Sequence, residues 1–337
     1  MAMKLGWHGR GRPRAWVAAL ALLAAPVQAL ACACGCGVFD VGDGAFMPAT
    51  TGAGLTAWFR YSYMDQNQNW EGASRARAGD NLDKEIRTSF FTVGGQYMIS
   101  PKWTVSAELP LYDRDFTSTD DGTVFGPAGR LYRADITAPG DLQLMGMYTG
   151  FSQEMTTGIG LGIKLPTGVW HSPLGPLGGA EFDRDTLPGT GSTDLMVGGY
   201  HFGSLGHGGN LNYFVQARYQ LAVATQQGYR PGNEFDGAVG VIYDLGKHGP
   251  FAKVAPMLQL IDSARAHDSG PEADPLNSGY ERLLLSPGLE VRINRVRVTG
   301  DVEWPIYQHV NAAPVATGNS GQLTAPVLFK MQIAYGF

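Results

Sequence analysis

Residues 327–337, VLFKMQIAYGF, end the chain with an apolar side chain at every second position. Lys330 and Gln332 lie between apolar residues, and the last residue, Phe337, is aromatic. Alternation with a period of two is typical of a β-strand whose two faces meet different surroundings. Barrels of the bacterial outer membrane show this alternation, and rings of aromatic side chains mark the ends of their strands. The stretch is therefore predicted to be the closing strand of an outer-membrane β-barrel.

The amino terminus has the features of a secretory signal peptide. Four basic residues between Lys4 and Arg14 precede an apolar stretch at 15–25, and Ala29-Leu30-Ala31 follows as a small-residue cleavage site. An uncleaved anchor is the alternative, but the apolar stretch is shorter than the roughly 20 residues that a spanning helix needs. We therefore expect residues 1–31 to be removed.

The charge of the mature chain bears on its partners. Removing residues 1–31 takes away four of the 25 basic residues and none of the 30 acidic ones, so the formal net charge goes from −5 to −9. An acidic chain without a basic tract is unsuited to nucleic acid. Small-molecule solutes and outer-membrane lipid are the expected partners.

The remaining chain has strand-like stretches separated by alternately long and short connections. The stretches lie near residues 55–61, 91–99, 103–109, 140–149, 156–165, 193–202, 211–222, 235–245, 250–261, 281–293, 296–306 and 326–337. The longest connections are 64–85, 113–139, 166–191, 262–280 and 307–325, and short turns alternate with them. Long extracellular loops and short periplasmic turns are typical of outer-membrane barrels. We predict an all-β fold, a transmembrane antiparallel up-and-down β-barrel of about twelve strands at 54–337, located in the bacterial outer membrane. Residues 32–53 would form a periplasmic lead-in or plug.

Charged residues recur on one face of several predicted strands. Because a charge in mid-strand is costly against lipid, these faces should point into the lumen. The predicted lumen residues are Arg60, Glu108, Lys164, Arg218, Glu290, Arg292, Arg297, Asp301, Glu303 and Lys330. They indicate a charge-lined channel; a lumen filled by its own salt bridges is the alternative. Gly158, Gly160 and Gly162 on one strand face favour open space.

Short glycine-rich motifs carry a resemblance to a known family. In order they are Gly140-Asp141-Leu142, GLGIKLPTG at 160–168, GTGSTD at 189–194, YRPGN at 229–233, LSPGL at 285–289, PIYQ at 305–308 and the terminal Phe337. Together they resemble the outer-membrane channel family named for the meta-pathway of phenol degradation, whose members are described as transporters. The resemblance implies a barrel that passes small, often aromatic or hydrophobic compounds. The barrel-assembly machinery would recognise its terminal strand through Phe337.

Three cysteines follow the cleavage site and leave several alternatives open. Cys32 could be lipidated, although Leu30-Ala31 is a marginal lipobox. Cys34 and Cys36 could bind a soft metal as thiolates. Oxidation to a local disulfide in the periplasm is the third alternative.

Catalytic motifs are weak in this sequence. His309 with Asn311 and Ser320 is the nearest approach to a nucleophile–base set, without the spacing of known arrangements. We expect no enzyme and no cofactor. Two function classes remain: a passive channel for small solutes, or a barrel-anchored metal-handling or redox module that uses the cysteines.

Overall fold

The computed structural model describes residues 54–119, 129–171, 184–206, 208–315 and 319–337. The predicted signal peptide and the cysteine segment at 32–53 lie outside them. The strands are β1 (Gly54–Gln66), β2 (Gln68–Glu71), β3 (Ser74–Arg75), β4 (Asp83–Ser100), β5 (Trp103–Thr119), β6 (Leu131–Pro139), β7 (Leu142–Tyr148), β8 (Thr157–Leu165), β9 (Thr193–Leu205), β10 (Leu211–Ala224), β11 (Glu234–Tyr243), β12 (Lys253–Arg265), β13 (Tyr280–Ile293), β14 (Val296–Val310), β15 (Gln322–Thr324) and β16 (Leu328–Gly336). In the described part of the chain, no helix is long and apolar enough to cross a membrane.

Thirteen of these strands form one closed antiparallel sheet with twelve wall positions. Each wall strand pairs with its neighbour in the chain, β16 pairs with both β14 and β1, and the β4–β5 pairing completes the ring. β6 and β7 share one wall position because both pair with β5. β7 pairs with the first half of β5, and β6 pairs with the second half. Closure removes the sheet edges, so the backbone N–H and C=O groups of every wall strand can form hydrogen bonds within a membrane. The predicted twelve-stranded barrel is confirmed.

The predicted loop at 113–139 is wrong in extent. β5 continues to Thr119, and β6 already occupies Leu131–Pro139. Ile86, Phe116 and Ala134 pack together on the inner side of this extension. At 17 residues, β5 is longer than the about 11 residues that a membrane crossing needs, so the hairpin continues beyond the hydrocarbon layer. The outward residues of this extension are polar, so the sequence lacks the apolar alternation that would predict a strand there.

The two barrel faces differ as the alternation predicts, but the inner face is more densely packed than its glycines suggest. Ile159 and Leu161 on β8 are exposed on the outside, whereas Gly158 and Gly162 are inside. A Cβ atom at Gly158 would lie 2.3 Å from the ring of Tyr200, and one at Gly162 would lie 3.0 Å from Cε of Met196. The expectation that these glycines leave open lumen is therefore wrong. They make room for large side chains of the neighbouring strand.

The end of the barrel with the long connections is covered by inward-folded segments. β15 pairs with β2, and β2 pairs with β3, in a small separate sheet. Leu323 of β15 is 2% exposed and packs with Ile86 of the wall. The opposite end has short turns such as Asn294-Arg295, together with the start of β1 and the end of β16. By the sidedness of such barrels, we expect the covered end to be extracellular.

Epitope tags should report this orientation. A tag inserted at Glu272, in the exposed part of the long connection 266–279, should bind antibody on intact cells. A tag at Lys102, in the short β4–β5 turn, should bind only after the outer membrane is permeabilised. Labelling of both tags on intact cells would contradict the topology.

Candidate functional site

A cavity of about 150 Å³ lies inside the barrel at its covered end. Its walls come from β1, β4, β5, β7, β8, β10, β11 and β12. Its cover comes from residues 184–190 and 229–232, which we call the roof. The lining includes five basic residues, Arg60, Lys164, Arg184, Arg218 and Arg265, and four acidic ones, Glu108, Asp141, Asp185 and Glu234.

The charged wall residues are held in ion pairs between strands. Arg60 Nη2 lies 2.9 Å from Oε2 of Glu108, and Arg218 Nη2 lies 2.8 Å from Oδ2 of Asp236. Ser263 Oγ donates a second hydrogen bond to Asp236 at 2.7 Å. Arg218 and Asp236 are both less than a tenth exposed, so little water screens their attraction. Such pairs hold the guanidinium groups in fixed positions.

Three of the glycine-rich motifs meet at one point of the wall. Asp141 Oδ1 accepts a hydrogen bond from Gly168 N at 3.0 Å, and its Oδ2 accepts one from Thr190 N at 2.9 Å. Lys164 Nζ lies 2.7 Å from Asp194 Oδ2 and donates to Thr190 Oγ1 at 2.7 Å. The network attaches the carboxyl end of the roof segment 184–190 to β7, β8 and β9.

The same place requires small residues because three backbones cross closely. A Cβ atom at Gly168 would lie 2.6 Å from the carbonyl carbon of Gly140 and 2.9 Å from Cα of Gly189. Gly189 N donates to the carbonyl oxygen of Val169 at 2.8 Å. The glycines of these motifs therefore allow a close approach of chain segments, which is a packing role.

Aromatic rings and the buried Arg114 hold the rest of the roof. The guanidinium carbon of Arg184 lies 5.0 Å from the ring centre of Trp170 and 4.9 Å from that of Tyr229, both within cation–π range. Arg114 on β5 donates to the carbonyl oxygen of Thr186. Burial raises the pKa of Asp185 to about 8, and the nearby Asp268 carboxylate shifts this pKa in the same direction. Burial thus favours the protonated form of the Asp185 carboxyl.

Apolar side chains form the part of the cavity next to β4 and β5. The rings of Phe90 and Tyr112 are 5.0 Å apart in an edge-to-face arrangement. Pro110, Leu187 and Pro188 complete this side. The cavity thus has a charged part and an apolar part.

The ten predicted lumen residues separate into two groups. Arg60, Glu108, Lys164 and Arg218 line the cavity. The other six, on β13, β14 and β16, are not part of its lining: Glu290, Arg292, Arg297, Asp301, Glu303 and Lys330. Among these, Glu290 lies 3.0 Å from Lys253, and Arg292 stands opposite Arg297 in the β13–β14 register, near the short-turn end.

The ion pair of Glu303 and Lys330 lies buried inside the barrel. Their Oε1 and Nζ atoms are 2.7 Å apart, and the side chains are 0% and 11% exposed. Asp301 accepts a hydrogen bond from Ser286 at 2.8 Å. Glu303 is fully buried and Lys330 is largely so, and this pair therefore cannot be treated as weakly coupled surface charges.

Sequence reasoning missed several carboxylates of the site. Asp141 and Asp194 lie inside the glycine-rich motifs, and a carboxylate within such a motif is the signal that could have indicated them. Asp236 and Asp268 have no local signal, because Arg218, the partner of Asp236, belongs to another strand, and Asp268 lies in the connection after β12.

The remaining predicted sites are placed as follows. Asn311 Nδ2 donates to Ser278 O at 2.7 Å, and Ser320 Oγ donates to Ala313 O at 2.6 Å, so both side chains hydrogen-bond to the backbone of long connections. Cys32, Cys34 and Cys36 lie outside the described residues. Within the residues described, no group of three His, Cys, Asp or Glu side chains could hold a metal ion.

Known structures of similar shape are bacterial outer-membrane barrels. An outer membrane channel from Pseudomonas putida F1 superposes with a TM-score of 0.62 at 10% identity, covering 88% of this chain and all of that one. The β domain of the Bordetella autotransporter BrkA gives 0.51 at 12% identity, covering 84% of this chain and all of that one. No family model matches the chain, and no curated protein matches it. At these identities the likeness concerns the fold.

The class of the protein follows from the closed antiparallel barrel, its apolar outer face and these superpositions. It is a twelve-stranded β-barrel of the bacterial outer membrane, with the fold of an outer-membrane channel.

Proposed function

We propose that the protein is a channel for the passive passage of small solutes, aromatic or hydrophobic compounds among them, through its charge-lined interior. The observation that carries this proposal is the charged cavity beneath the roof. A barrel needed only as an anchor gains nothing from a wall of buried ion pairs, because apolar residues of similar volume are often at least as stabilising. A polar wall around an open cavity is compatible with the passage of a solute.

The similarity to the Pseudomonas putida outer membrane channel supports the proposal at the level of architecture. Passage needs a path through the roof, which is attached by single side chains such as Arg184 and by the network around Asp141. Loops of this kind move on nanosecond to microsecond timescales, without unfolding of the barrel. The mechanism therefore needs neither a catalytic group nor a cofactor.

Assembly in the membrane involves the terminal aromatic residue in this proposal. Phe337 is exposed, its ring lies 4.9 Å from that of Tyr335, and its N–H donates to Leu55 O at 2.9 Å. The backbone is thus held in the wall while the ring stays available. The barrel-assembly machinery is the partner we propose for it.

Planar-bilayer recording of the refolded full-length barrel tests the proposal. The expected result is stepwise single-channel current in potassium chloride, with faster solute entry into proteoliposomes than into protein-free liposomes. The C34S/C36S variant should keep the same conductance, because the cavity lies in the barrel. Absence of current and of solute entry would refute the channel, and loss of both in the C34S/C36S variant would favour the metal-handling or redox alternative.

A further inference from the structure

We infer that the cavity is a binding site for a small organic anion, a carboxylate carried on a single apolar ring. This inference rests on the proposed function, which it deepens by naming the class of solute. Two features of the cavity support it. Arg218 and Arg265 lie closer to the cavity than the carboxylates that pair with them, and the apolar lining residues lie opposite these two arginines.

Two of the basic side chains, Arg218 and Arg265, lie between the cavity and their acidic partners. Both line the cavity, whereas the carboxylates of Asp236 and Asp268, which pair with them at 2.8 and 2.6 Å, do not. Lys164 also lines the cavity; its partner Asp194 lies outside the lining, and its partner Asp141, at 3.5 Å, belongs to it. A solute in the cavity therefore meets the positive end of the Arg218 and Arg265 pairs first. Such an arrangement favours an anion, as preorganised cations do in a site with little water.

The apolar side of the cavity lies across the barrel from Arg218 and Arg265, whereas Lys164 on β8 is only two wall positions from β5. Phe90 on β4 is five wall positions from β10, which carries Arg218. Tyr112 on β5 is six of the twelve positions from β12, which carries Arg265. A solute that satisfies both sides has a charged end and an apolar body.

The volume limits the size of that body. An engineered apolar cavity of 150 Å³ in another protein holds one benzene molecule, and the present cavity has about the same volume. One planar ring with a carboxylate therefore matches the space, whereas a long acyl chain does not.

Calorimetric binding to the refolded barrel tests the inference with three probes. Benzoate should bind about tenfold more tightly than its neutral analogue benzamide, which corresponds to about 1.4 kcal/mol. Acetate, which lacks the ring, should also bind more weakly than benzoate. Equal binding of benzoate and benzamide, or no binding of benzoate, would overturn the inference.

Two double variants separate the cavity from the rest of the inner wall. R218Q/D236N removes one cation that faces the cavity and the carboxylate behind it, so it should lower benzoate affinity severalfold and leave benzamide unchanged. K253M/E290Q removes a pair that does not line the cavity and should change neither. An equal loss for both probes in R218Q/D236N would mean a structural effect and would count against the anion site.

The failure of this inference is distinguishable from that of the proposed function. Solute entry with equal affinity for benzoate and benzamide would leave the channel intact and remove the anion site. Benzoate binding without current or solute entry would remove the channel and leave the site.

Discussion

Excising residues 170–188 and joining Val169 to Gly189 through two glycines is expected to raise the single-channel conductance severalfold. The excision removes Arg184, Asp185 and Leu187 from the roof of the cavity. The junction is compatible with the fold because Gly189 N already donates to Val169 O at 2.8 Å. With two residues between them, this hydrogen bond becomes the one that closes a β-turn. The Asp141–Thr190 contact stays in place, so the wall should still assemble.

Planar-bilayer recording checks this prediction, with heat-modifiable migration on gels as the test of assembly. R184A is a useful companion, because it removes the two cation–π contacts and leaves the loop in the chain. Its conductance should lie between those of the wild type and the excised barrel. A folded, inserted barrel whose conductance is unchanged by the excision would show that the roof does not limit the current.

Lys330→Met is expected to destabilise the barrel by about 3–5 kcal/mol, because it leaves a buried carboxylate without its cation. Glu303 is fully buried and takes its ion pair from Lys330. Unfolding by urea in phospholipid vesicles measures the difference in unfolding free energy.

The matched double variant K330M/E303Q should recover most of that loss, since it removes both charges together. A single variant as stable as the wild type would mean that the pair is hydrated, in contrast to its burial. In that case this part of the lumen wall would be in contact with water.

The alternation of polar and apolar residues was sufficient to predict the barrel and most of its strands. The alternation is local, because neighbouring residues of a strand face opposite sides whatever the rest of the chain does. The terminal strand at 327–337 is the clearest case. The ends of the strands were harder to predict. The second part of β5 lies beyond the membrane, where its outward residues contact water and are polar. The alternation of apolar and polar residues therefore ends before the strand does.

The alternation also predicts which strand faces carry charges toward the interior, but it does not predict whether those charges are hydrated or buried. Lys330 and Glu303 were recognised as inward residues from their position in the alternation, yet their burial depends on what fills the barrel beside them. Likewise, Gly158 suggests empty space in the sequence, and only the neighbouring strand supplies the ring of Tyr200 that fills it.

Residue spacing within single segments was enough to predict the fold class, the membrane and the side of each strand that carries charge. Only packing in three dimensions shows that Asp141, Lys164 and Thr190 meet, and that Arg218 lies between the cavity and Asp236. The reason is physical: these contacts join different strands and an inward-folded loop. The order of charges around a cavity follows from how closed strands and loops pack in space.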